Sequence, residues 1–330
     1  MNPIFVAIVN YRTGHLVVDC LASVAPMVAD LRGGRVVVVD NDSGDDSAAV
    51  IGAAIERHNW GGWAELRVLP RNGGFAYGNN AAIARVRELD PAFGAVLLLN
   101  PDTVARPDAI RHLTQYLDAN PSVGIVGASI ENEAGQPESS AHPQPSPLRE
   151  LEDAARFAPL SRWLSGSTTA WVPRSVPHEC DWVSGACMAI RRAVLDAVGP
   201  MDEGFFLYFE EVEFCLRARR AGWHCWFVPE ARVLHFEGAS TGIRIARRRR
   251  PAYWYTSRRR FFVKAYGVAG LFAADLLWAL GRLSLVTRRA LGLGGRTGKD
   301  DEPIGLALDL LLGDLKALMS GELWRISRLA

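Results

Sequence analysis

An apolar run that ends in amide and carboxylate side chains is the first place where this sequence suggests chemistry. Ala95–Leu99 contains no polar residue and predicts a strand buried on both faces, as in a parallel sheet. Pro101 cannot donate a ladder hydrogen bond, so this strand should end at Asn100. Asp102 then lies at the carboxyl end of the strand, where open α/β sheets bind ligands and where a carboxylate suits Mg²⁺. The alternative is a plain turn in which Asp102 caps the next helix.

Two further predicted strands also end in polar residues. Asn10 and Tyr11 follow the apolar run 3–9, and Asp40–Gly44 ends a run of four valines. Because parallel strands end at one edge of a sheet, we expect these residues to lie near the first group. The first strand is not followed by Gly-x-Gly-x-x-Gly, and no Gly-x-x-x-x-Gly-Lys-Ser/Thr sequence occurs. The edge therefore suits a nucleotide that is held through acids, amides and a metal.

A glycine-rich segment, Arg71–Asn80, lies between a third predicted strand and a helix predicted for residues 81–88. Gly73, Gly74 and Gly78 have no side chain, so their backbone amides are expected to approach a ligand closely. The whole segment is predicted to be a loop at the ligand-binding edge.

Two adjacent acids, Glu210 and Glu211, stand at the start of a predicted helix that ends at Gly222. Crowding of two negative charges raises the pKa of one carboxylate and favours proton acceptance, which is the role of a general base. The alternative is structural: the acids stabilise the positive end of the helix dipole, and Glu213 pairs with Arg217 on the helix surface.

The elements that must position these residues follow an alternating pattern. Strand and helix signals alternate through the first 130 residues and predict an α/β fold with a mainly parallel central sheet flanked by helices. Residues 132–181 are rich in Pro, Ser and Gly with little periodicity, and predict long loops over the sheet. Beyond about residue 260 the pattern is helical to the end.

Composition sets further limits on the function. The chain of 330 residues has a formal net charge of +1, so nothing predicts a polyanion such as nucleic acid as partner. Five cysteines without a Cys-x-x-Cys pair predict reduced thiols in a cytoplasmic protein. No signal peptide is recognised, and no uninterrupted run reaches the roughly 18 apolar residues of a membrane span.

An arginine cluster, Arg244–Arg260, contains eight arginines and no acid, with Tyr253–Tyr255 among them. Basic and aromatic residues together suit an anionic membrane surface, and the same composition suits a diphosphate or nucleic acid. Val268–Val286 is strongly apolar, and Ile304–Leu329 is amphipathic. These two helices are expected to lie in a bilayer interface, with packing on each other or homodimer contact as the alternative.

Taken together, the motifs resemble family 2 glycosyltransferases, in particular the inverting branch with the GT-A fold that includes bacterial rhamnosyltransferases of cell-surface glycan assembly. The resemblance spans roughly residues 4–266 and rests on the joint order of motifs that are weak one by one. The matching segments are Val9–Tyr11 for the first-strand motif, Val39–Ser43 for the Asp-Asn-x-Ser motif, Gly73–Asn80, Asn100–Asp102 for the Asp-x-Asp metal motif, Phe206–Arg217 for the acidic catalytic motif, and Val233–Ser240.

The resemblance implies a role for each matched residue. Glu211 is the implied general base, with Glu210 bonding donor or acceptor, and Asp102 is the implied ligand of Mg²⁺ or Mn²⁺. Asn100 replaces one carboxylate of the metal motif, so a further ligand is needed, and His235 is the candidate because related enzymes use a histidine there. A core histidine is the alternative. The implied donor-binding residues are Asn10, Tyr11, Asp40, Asp42, Asn72, Gly73, Gly74, Asn79, Asn100, Asp102, Trp182 and Gly185, although a buried strand explains Trp182 and Gly185 equally well.

The resemblance also implies the reaction and its setting. We expect an enzyme that moves a sugar, with dTDP-rhamnose as the expected donor, to a hydroxyl of a glycan or lipid-linked acceptor in cell-envelope synthesis. The alternatives are a UDP-hexose donor, or a non-catalytic protein that binds nucleotide sugars or a membrane surface. The expected location is the cytoplasm, peripheral on the inner membrane. The expected domains are 1–260, divided into a nucleotide-sugar half (1–130) and an acceptor half (131–260), and a helical region, 261–330.

Overall fold

The structure is a computed structural model, and its described residues form two compact units. The first unit contains residues 2–143 and 175–236, and the second contains residues 144–164, 249–293, 303 and 305–329. This division differs from the expected boundary at residue 260. The reason is that a long helix begins at Ala252 and packs with a helix formed by Pro147–Ala155.

The secondary structure elements are numbered in chain order. The strands are β1 (Ile4–Asn10), β2 (Val36–Asp40), β3 (Ala64–Val68), β4 (Ala95–Leu99), β5 (Thr103–Ala105), β6 (Val123–Glu131), β7 (Pro137–Glu138), β8 (Ala141–His142), β9 (His178–Cys180), β10 (Trp182–Val183), β11 (Cys187–Arg191) and β12 (His224–His235). The helices are α1 (Gly14–Val24), α2 (Ser47–Arg57), α3 (Phe75–Leu89), α4 (Ala109–Ala119), α5 (Pro147–Ala155), α6 (Ala158–Leu164), α7 (Arg192–Val198), α8 (Glu210–Arg220), α9 (Ala252–Ala290), α10 (Leu306–Met319) and α11 (Glu322–Ser327).

The main sheet of the first unit has the order β3-β2-β1-β4-β11-β6-β12-β5. Strands β3, β2, β1 and β4 are parallel neighbours, and β12 is parallel to β6. β11 lies antiparallel between β4 and β6. β1, β2 and β4 are buried along their whole length, as their continuous apolar runs predict for strands covered on both faces. The predicted α/β class with a mainly parallel central sheet is confirmed.

The prediction of loops over residues 132–181 is wrong for much of its described part. Residues 147–155 and 158–164 are helical, and they belong to the second unit. The sequence does contain a signal for the start of a helix at this point, because Ser146 precedes Pro147. In the structure the Ser146 hydroxyl accepts a hydrogen bond from the Arg149 amide at 3.3 Å.

Two arginines of the predicted membrane-facing cluster are buried inside the second unit. Arg258 is 2% exposed and its guanidinium donates to Asp275 at 2.8 Å, while Arg259 is 6% exposed and donates to Asp314 at 2.6 Å. The prediction that they face a membrane is therefore wrong. The acids that pair with them lie 17 and 55 residues away along the chain, outside the acid-free segment.

Of the other six arginines, Arg250 and Arg260 are partly exposed. Arg249 is exposed and donates to Asp309 at 2.7 Å through its Nε atom. Arg244, Arg247 and Arg248 lie outside the described residues.

Two described helical segments are long and apolar enough to cross a membrane, judged by length and composition alone. The first, Gly14–Leu31, carries Val17, Leu21 and Val24 in the core of the first unit, so its hydrophobicity is explained by burial. The second is α9, which is interrupted at Gly267, where the backbone is not helical (φ 75°, ψ 177°). Only 22% of its most apolar stretch is buried, so burial does not explain its composition.

Candidate active site

The Asp40 carboxylate at the end of β2 is held by three hydrogen bonds. Asn10, its neighbour across the parallel strands, donates to Oδ2 at 2.6 Å. The Ser43 hydroxyl donates to the same oxygen at 2.6 Å, and the Ser43 amide donates to Oδ1 at 3.1 Å. Because Asp40 is only 2% exposed, it fixes the shape of the turn at this edge. Tyr11 and Asp42 flank the turn, and Asp42 is exposed with a left-handed backbone (φ 57°).

Asn41 connects this turn to the glycine-rich segment. Its side-chain amide donates to Asn72 Oδ1 and to the Gly74 carbonyl, both at 3.0 Å, and Asn72 Oδ1 also accepts from the Gly74 amide. Asn41 Oδ1 is buried and has no hydrogen-bond partner among the described residues. Asn41 is the asparagine of the matched Asp-Asn-x-Ser motif, but it was not among the donor-binding residues predicted from the sequence. Gly73 packs against the ring of Tyr77. A Cβ atom added to Gly73 would lie 2.4 Å from two carbon atoms of this ring.

The glycine-rich segment is a loop only as far as Gly74, so the prediction of a loop up to residue 80 is wrong. Helix α3 begins at Phe75, and the Gly78 amide donates to the Gly74 carbonyl at 3.1 Å. The predicted free amide of Gly78 is therefore engaged. Asn79 is 1% exposed and donates to the Phe75 carbonyl, so the structure assigns it to the helix and does not bring it to the ligand-binding edge.

Gly74 connects this edge to the segment that precedes the acidic pair. A Cβ atom at Gly74 would lie 2.1 Å from the Phe206 carbonyl oxygen, and the adjacent Phe75 amide donates to that same oxygen at 2.9 Å. Gly74 also has φ +89°, a conformation that L-residues rarely adopt. Any larger residue here would push the two segments apart.

Glu210 and Glu211 follow a strained turn. Tyr208 and Phe209 both have left-handed backbones (φ 71° and 69°), which non-glycine residues adopt at an energetic cost and which cluster at functional sites. Among the described residues, neither glutamate has an ion-pair partner, and Oε2 of each is buried without a hydrogen-bond donor. Burial raises the pKa of Glu210 well above its usual range, and the charge of Glu211 adds to this effect. Burial also raises the pKa of Glu211, against stabilisation of its anion by the Gly185 amide.

Glu213 belongs to the support of this helix. It is 2% exposed and accepts two hydrogen bonds from Arg217 Nε, at 3.0 and 2.9 Å. The other guanidinium nitrogens of Arg217 donate to the carbonyl oxygens of Val198 and Pro200. The predicted i,i+4 pair exists, but it is largely buried and ties α8 to the end of α7.

Asn100, Asp102 and His235 converge at the end of β4. β12 runs antiparallel to β5 and places His235 opposite Thr103. His235 Nε2 lies 3.1 Å from Asp102 Oδ1 and 3.4 Å from Asn100 Nδ2, and the Phe236 amide donates to the Asp102 carbonyl. His235 thus reaches the predicted metal motif, although it follows Asp102 by 133 residues.

The three side chains suit a hard divalent cation. Asn100 Oδ1 is buried with no hydrogen-bond partner among the described residues, and Asp102 is 6% exposed. A carboxylate oxygen, an amide oxygen and an imidazole nitrogen are ligands that Mn²⁺ accepts, and Mg²⁺ binds through few protein ligands plus phosphate oxygens. The described residues hold no group of three His, Cys, Asp or Glu that fits a metal, so a cation at this cluster would also need ligands from a substrate or water.

Gly185 joins the acidic pair to this cluster. A Cβ atom on Gly185 would contact the Phe75 ring at 3.4 Å and Glu211 Cβ at 3.7 Å. The next residue, Ala186, accepts a hydrogen bond from the Asn100 amide at 2.9 Å. Gly185 therefore lines the predicted site. Trp182 donates to the Pro143 carbonyl and stacks on His142 with ring centroids 4.2 Å apart, so its side chain is engaged in the small β8–β10 sheet.

The arrangement thus brings three chemical functions to one edge of the sheet. A polar turn lies at the ends of β1 and β2, a candidate cation-binding cluster lies at the end of β4, and a buried pair of carboxylates with raised pKa values lies beside it. This combination can bind a nucleoside diphosphate derivative, offset the charge of its phosphates, and accept a proton from a second substrate.

Comparisons with known proteins agree with this geometry. A family model described as glycosyltransferase like family 2 matches residues 2–254. An N-acetylglucosaminyl-diphospho-decaprenol L-rhamnosyltransferase of Mycobacterium tuberculosis is 32% identical over 301 residues, covering 87% of this chain and 91% of that protein. A rhamnosyltransferase of Escherichia coli is 26% identical over 174 residues, covering 49% of this chain and 61% of that protein.

Solved structures show the same fold. A mannosyltransferase from Pyrobaculum calidifontis, solved with GDP-mannose and Mn²⁺, superimposes with a TM-score of 0.55 and 15% identity. The match covers 96% of this chain and 81% of that protein. The expected GT-A fold is confirmed.

Proposed function

This chain belongs to glycosyltransferase family 2 and is a transferase, and from that premise we propose that it moves rhamnose from dTDP-rhamnose to a hydroxyl group of a lipid-linked glycan. The two rhamnosyltransferase relatives support the sugar, and the decaprenol-linked acceptor in the name of the mycobacterial relative supports the acceptor class. A cytoplasmic location at the inner membrane is part of the proposal, because such an acceptor is anchored in lipid.

The observation that carries the mechanism is the position of the buried acids beside the cation-binding cluster. We assign Glu211 as general base: its raised pKa favours proton acceptance, and the Gly185 amide fixes the direction of its carboxylate. The acceptor oxygen attacks the anomeric carbon from the face opposite the diphosphate while Glu211 takes the hydroxyl proton. The bond between the anomeric carbon and the diphosphate oxygen breaks, and the nucleoside diphosphate leaves, so the anomeric configuration is inverted.

The remaining polar residues bind and orient the donor. The turn at Asp40–Ser43 and the segment Asn72–Gly74 are placed to hold the nucleoside and its phosphates, which converts a collision into a positioned attack. Asp102, His235 and Asn100 would hold Mg²⁺ or Mn²⁺, and a bound cation supplies positive charge for the departing diphosphate. The Mn²⁺ in the structurally similar mannosyltransferase supports this choice. Glu210 is placed to bond the donor or acceptor.

A transfer assay with a panel of donors tests the proposal. The purified protein is incubated with dTDP-rhamnose, UDP-hexoses or GDP-mannose, together with an N-acetylglucosaminyl-diphospho-polyprenol acceptor and Mn²⁺, and the product is analysed by mass spectrometry and NMR. We expect transfer from dTDP-rhamnose with inversion at the anomeric carbon. Transfer from a UDP-hexose alone would assign the donor to the alternative class. Binding of donors without hydrolysis or transfer would identify a non-catalytic protein.

A further inference from the structure

The second unit exposes a row of large apolar residues on helix α10. The buried side of this helix consists of Leu310, Asp314 and Ala317. Five other large apolar residues project outward, namely Leu308 (58% exposed), Leu311 (52%), Leu312 (55%), Leu315 (39%) and Met319 (81%). Their spacing of three and four residues places them on one face of the helix. The outward face of a surface helix in water is normally polar, so water is not the natural environment of this face.

The second half of α9 repeats this pattern. Leu276 and Leu283 are 61% and 63% exposed, and Leu280 and Val286 are about half exposed. Every exposed residue that the structure describes between Leu276 and Leu293 is uncharged, and most are aliphatic. We call the exposed apolar residues of α9 (Leu276, Leu280, Leu283 and Val286) and of α10 (Leu308, Leu311, Leu312, Leu315 and Met319) the leucine face.

Charged groups that would normally cover such a surface are turned inward. Arg258 lies between the carboxylates of Glu150 (3.3 Å) and Asp275 (2.8 Å), and Arg259 contacts Asp314 and, at 3.4 Å, Glu322. Burying ions is costly in free energy, while exposing leucine to water forgoes hydrophobic stabilisation. A protein that buries paired ions and also exposes leucines is suited to an apolar surrounding. In such a surrounding, paired ions face the protein interior and aliphatic side chains face outward.

We infer that the leucine face inserts into the hydrocarbon boundary of a lipid bilayer and anchors the protein by hydrophobic contact. The face is almost wholly aliphatic and lacks the exposed tyrosine, tryptophan and arginine residues that carry protein–protein interfaces. Trp324 (56% exposed) and Arg325 on α11, and Arg328 directly after it, give the composition of a membrane–water interface. This inference rests on the second unit alone and does not depend on the proposed sugar or acceptor.

The helices lie along the membrane surface and do not cross it. The part of α9 after Gly267, Val268–Ala290, has 23 residues and is about 34 Å long, so its length alone would allow it to cross the roughly 30 Å of a bilayer core, but its surface chemistry does not. Its opposite face carries Asp275, which is paired with Arg258, and Gly281, which packs against α5. Only one side of the helix is therefore available to lipid, as in interfacial amphipathic helices.

Sedimentation of the full-length protein with vesicles tests this inference. The vesicles contain either phosphatidylcholine alone or phosphatidylcholine with phosphatidylglycerol, each at low and high salt. We expect binding to neutral vesicles that persists in high salt, because hydrophobic insertion is not screened by ions. Binding only to anionic vesicles, and its loss in high salt, would overturn the inference and favour docking through exposed arginines.

Paired variants locate the contact. Leu311→Gln/Leu315→Gln should lower the vesicle partition coefficient at least about tenfold, since each leucine contributes to the buried apolar area. The matched control is Val68→Gln/Val176→Gln, which changes two residues of the first unit that are 61% and 60% exposed and should leave partitioning unchanged. Thermal unfolding and circular dichroism verify that both variants fold. Equal partitioning of the two variants would contradict the inference. A wild-type dimer that ignores vesicles, and that the leucine substitutions dissociate, would show that the face is a protein interface.

Discussion

Both units bury charged side chains, but the two glutamates of the candidate active site are unpaired, whereas the two buried arginines of the second unit are paired with acids. In the first unit, Glu210 and Glu211 have no ion-pair partner among the described residues, and each keeps a buried oxygen without a donor. In the second unit, Arg258 contacts three carboxylates and Arg259 contacts two. Unpaired buried groups weaken the fold and are available to a substrate, whereas paired ones hold helices in position. Substitutions of the unpaired glutamates should therefore change activity, and substitutions of the paired arginines should change stability.

Asp102→Ala tests the first half of this comparison with the largest expected effect. It removes the one carboxylate of the cation-binding cluster, so we expect no detectable sugar transfer, while the thermal midpoint stays near that of the wild type. EDTA should abolish the activity of the wild type as well. Asp19→Ala, on the exposed surface of α1, is the matched control. Full transfer activity of Asp102→Ala, or of the wild type in EDTA, would refute a metal-assisted reaction.

Glu211→Gln should lower kcat by roughly 10²–10⁴, the usual contribution of a positioned base, with donor affinity unchanged. Removing a buried, unpaired carboxylate should also leave the protein at least as stable as the wild type. Glu210→Gln is the matched comparison and should retain more activity. If Glu210→Gln is crippled and Glu211→Gln is active, the roles of the two glutamates are reversed.

Arg259→Met tests the other half of the comparison. It leaves Asp314 buried without its closest ion-pair partner, and breaking a buried pair typically costs about 3–5 kcal/mol of unfolding free energy. Denaturant unfolding should show this loss in the second unit, while kcat at low temperature stays close to the wild-type value. The control is Arg249→Met, whose exposed pair with Asp309 should contribute too little to shift the thermal midpoint. A stable Arg259→Met protein with lowered kcat would mean that the pairing serves catalysis.

A pH dependence of smaller size should come from Asp314. Burial and the neighbouring Asp275 raise the pKa of the Asp314 carboxyl to about 7, against the opposing effect of Arg259. The folded state then holds a proton that the unfolded chain has released between about pH 4 and 7, so the unfolding free energy falls as pH rises through this window. The slope is at most about 1.4 kcal/mol per pH unit. Thermal unfolding of Asp314→Asn should show this slope reduced between pH 5 and 7; an unchanged slope would assign the titration to another group.

The sequence predicts the active-site edge well because its signals are local. An abrupt end of an apolar run, as at Pro101, marks the end of a strand. The ends of parallel strands then meet at one edge of the sheet. The hydrogen bonds of Asn41 and the glycine packing at Gly74 depend on segments distant in the chain, so no local pattern shows them. Asn79 was misassigned because the start of α3 depends on contact with Phe206, more than a hundred residues later.

The second unit was predicted less well for the same reason. An acid-free arginine segment suggested an exposed basic surface, yet Arg258 pairs with Asp275, which lies later in α9, and Arg259 pairs with Asp314 on α10. Sequence spacing gives the amphipathic character of α10 but does not show which face is inside. The buried side carries Leu310 and Ala317 together with Asp314, and only the three-dimensional pairing of Asp314 with Arg259 explains why an acid lies there.

The antiparallel strand β11 has a consequence for how the protein is made. β11 (Cys187–Arg191) lies between β4 and β6, although both precede it in the chain. At about 5–20 residues per second, a ribosome needs roughly 4–18 seconds to go from Leu99 to Cys187. During that interval β4 has an open edge that can pair with other chains. A nascent chain that stalls after residue 130 should therefore aggregate, and the expected nucleotide-sugar half, 1–130, should not fold when it is expressed alone.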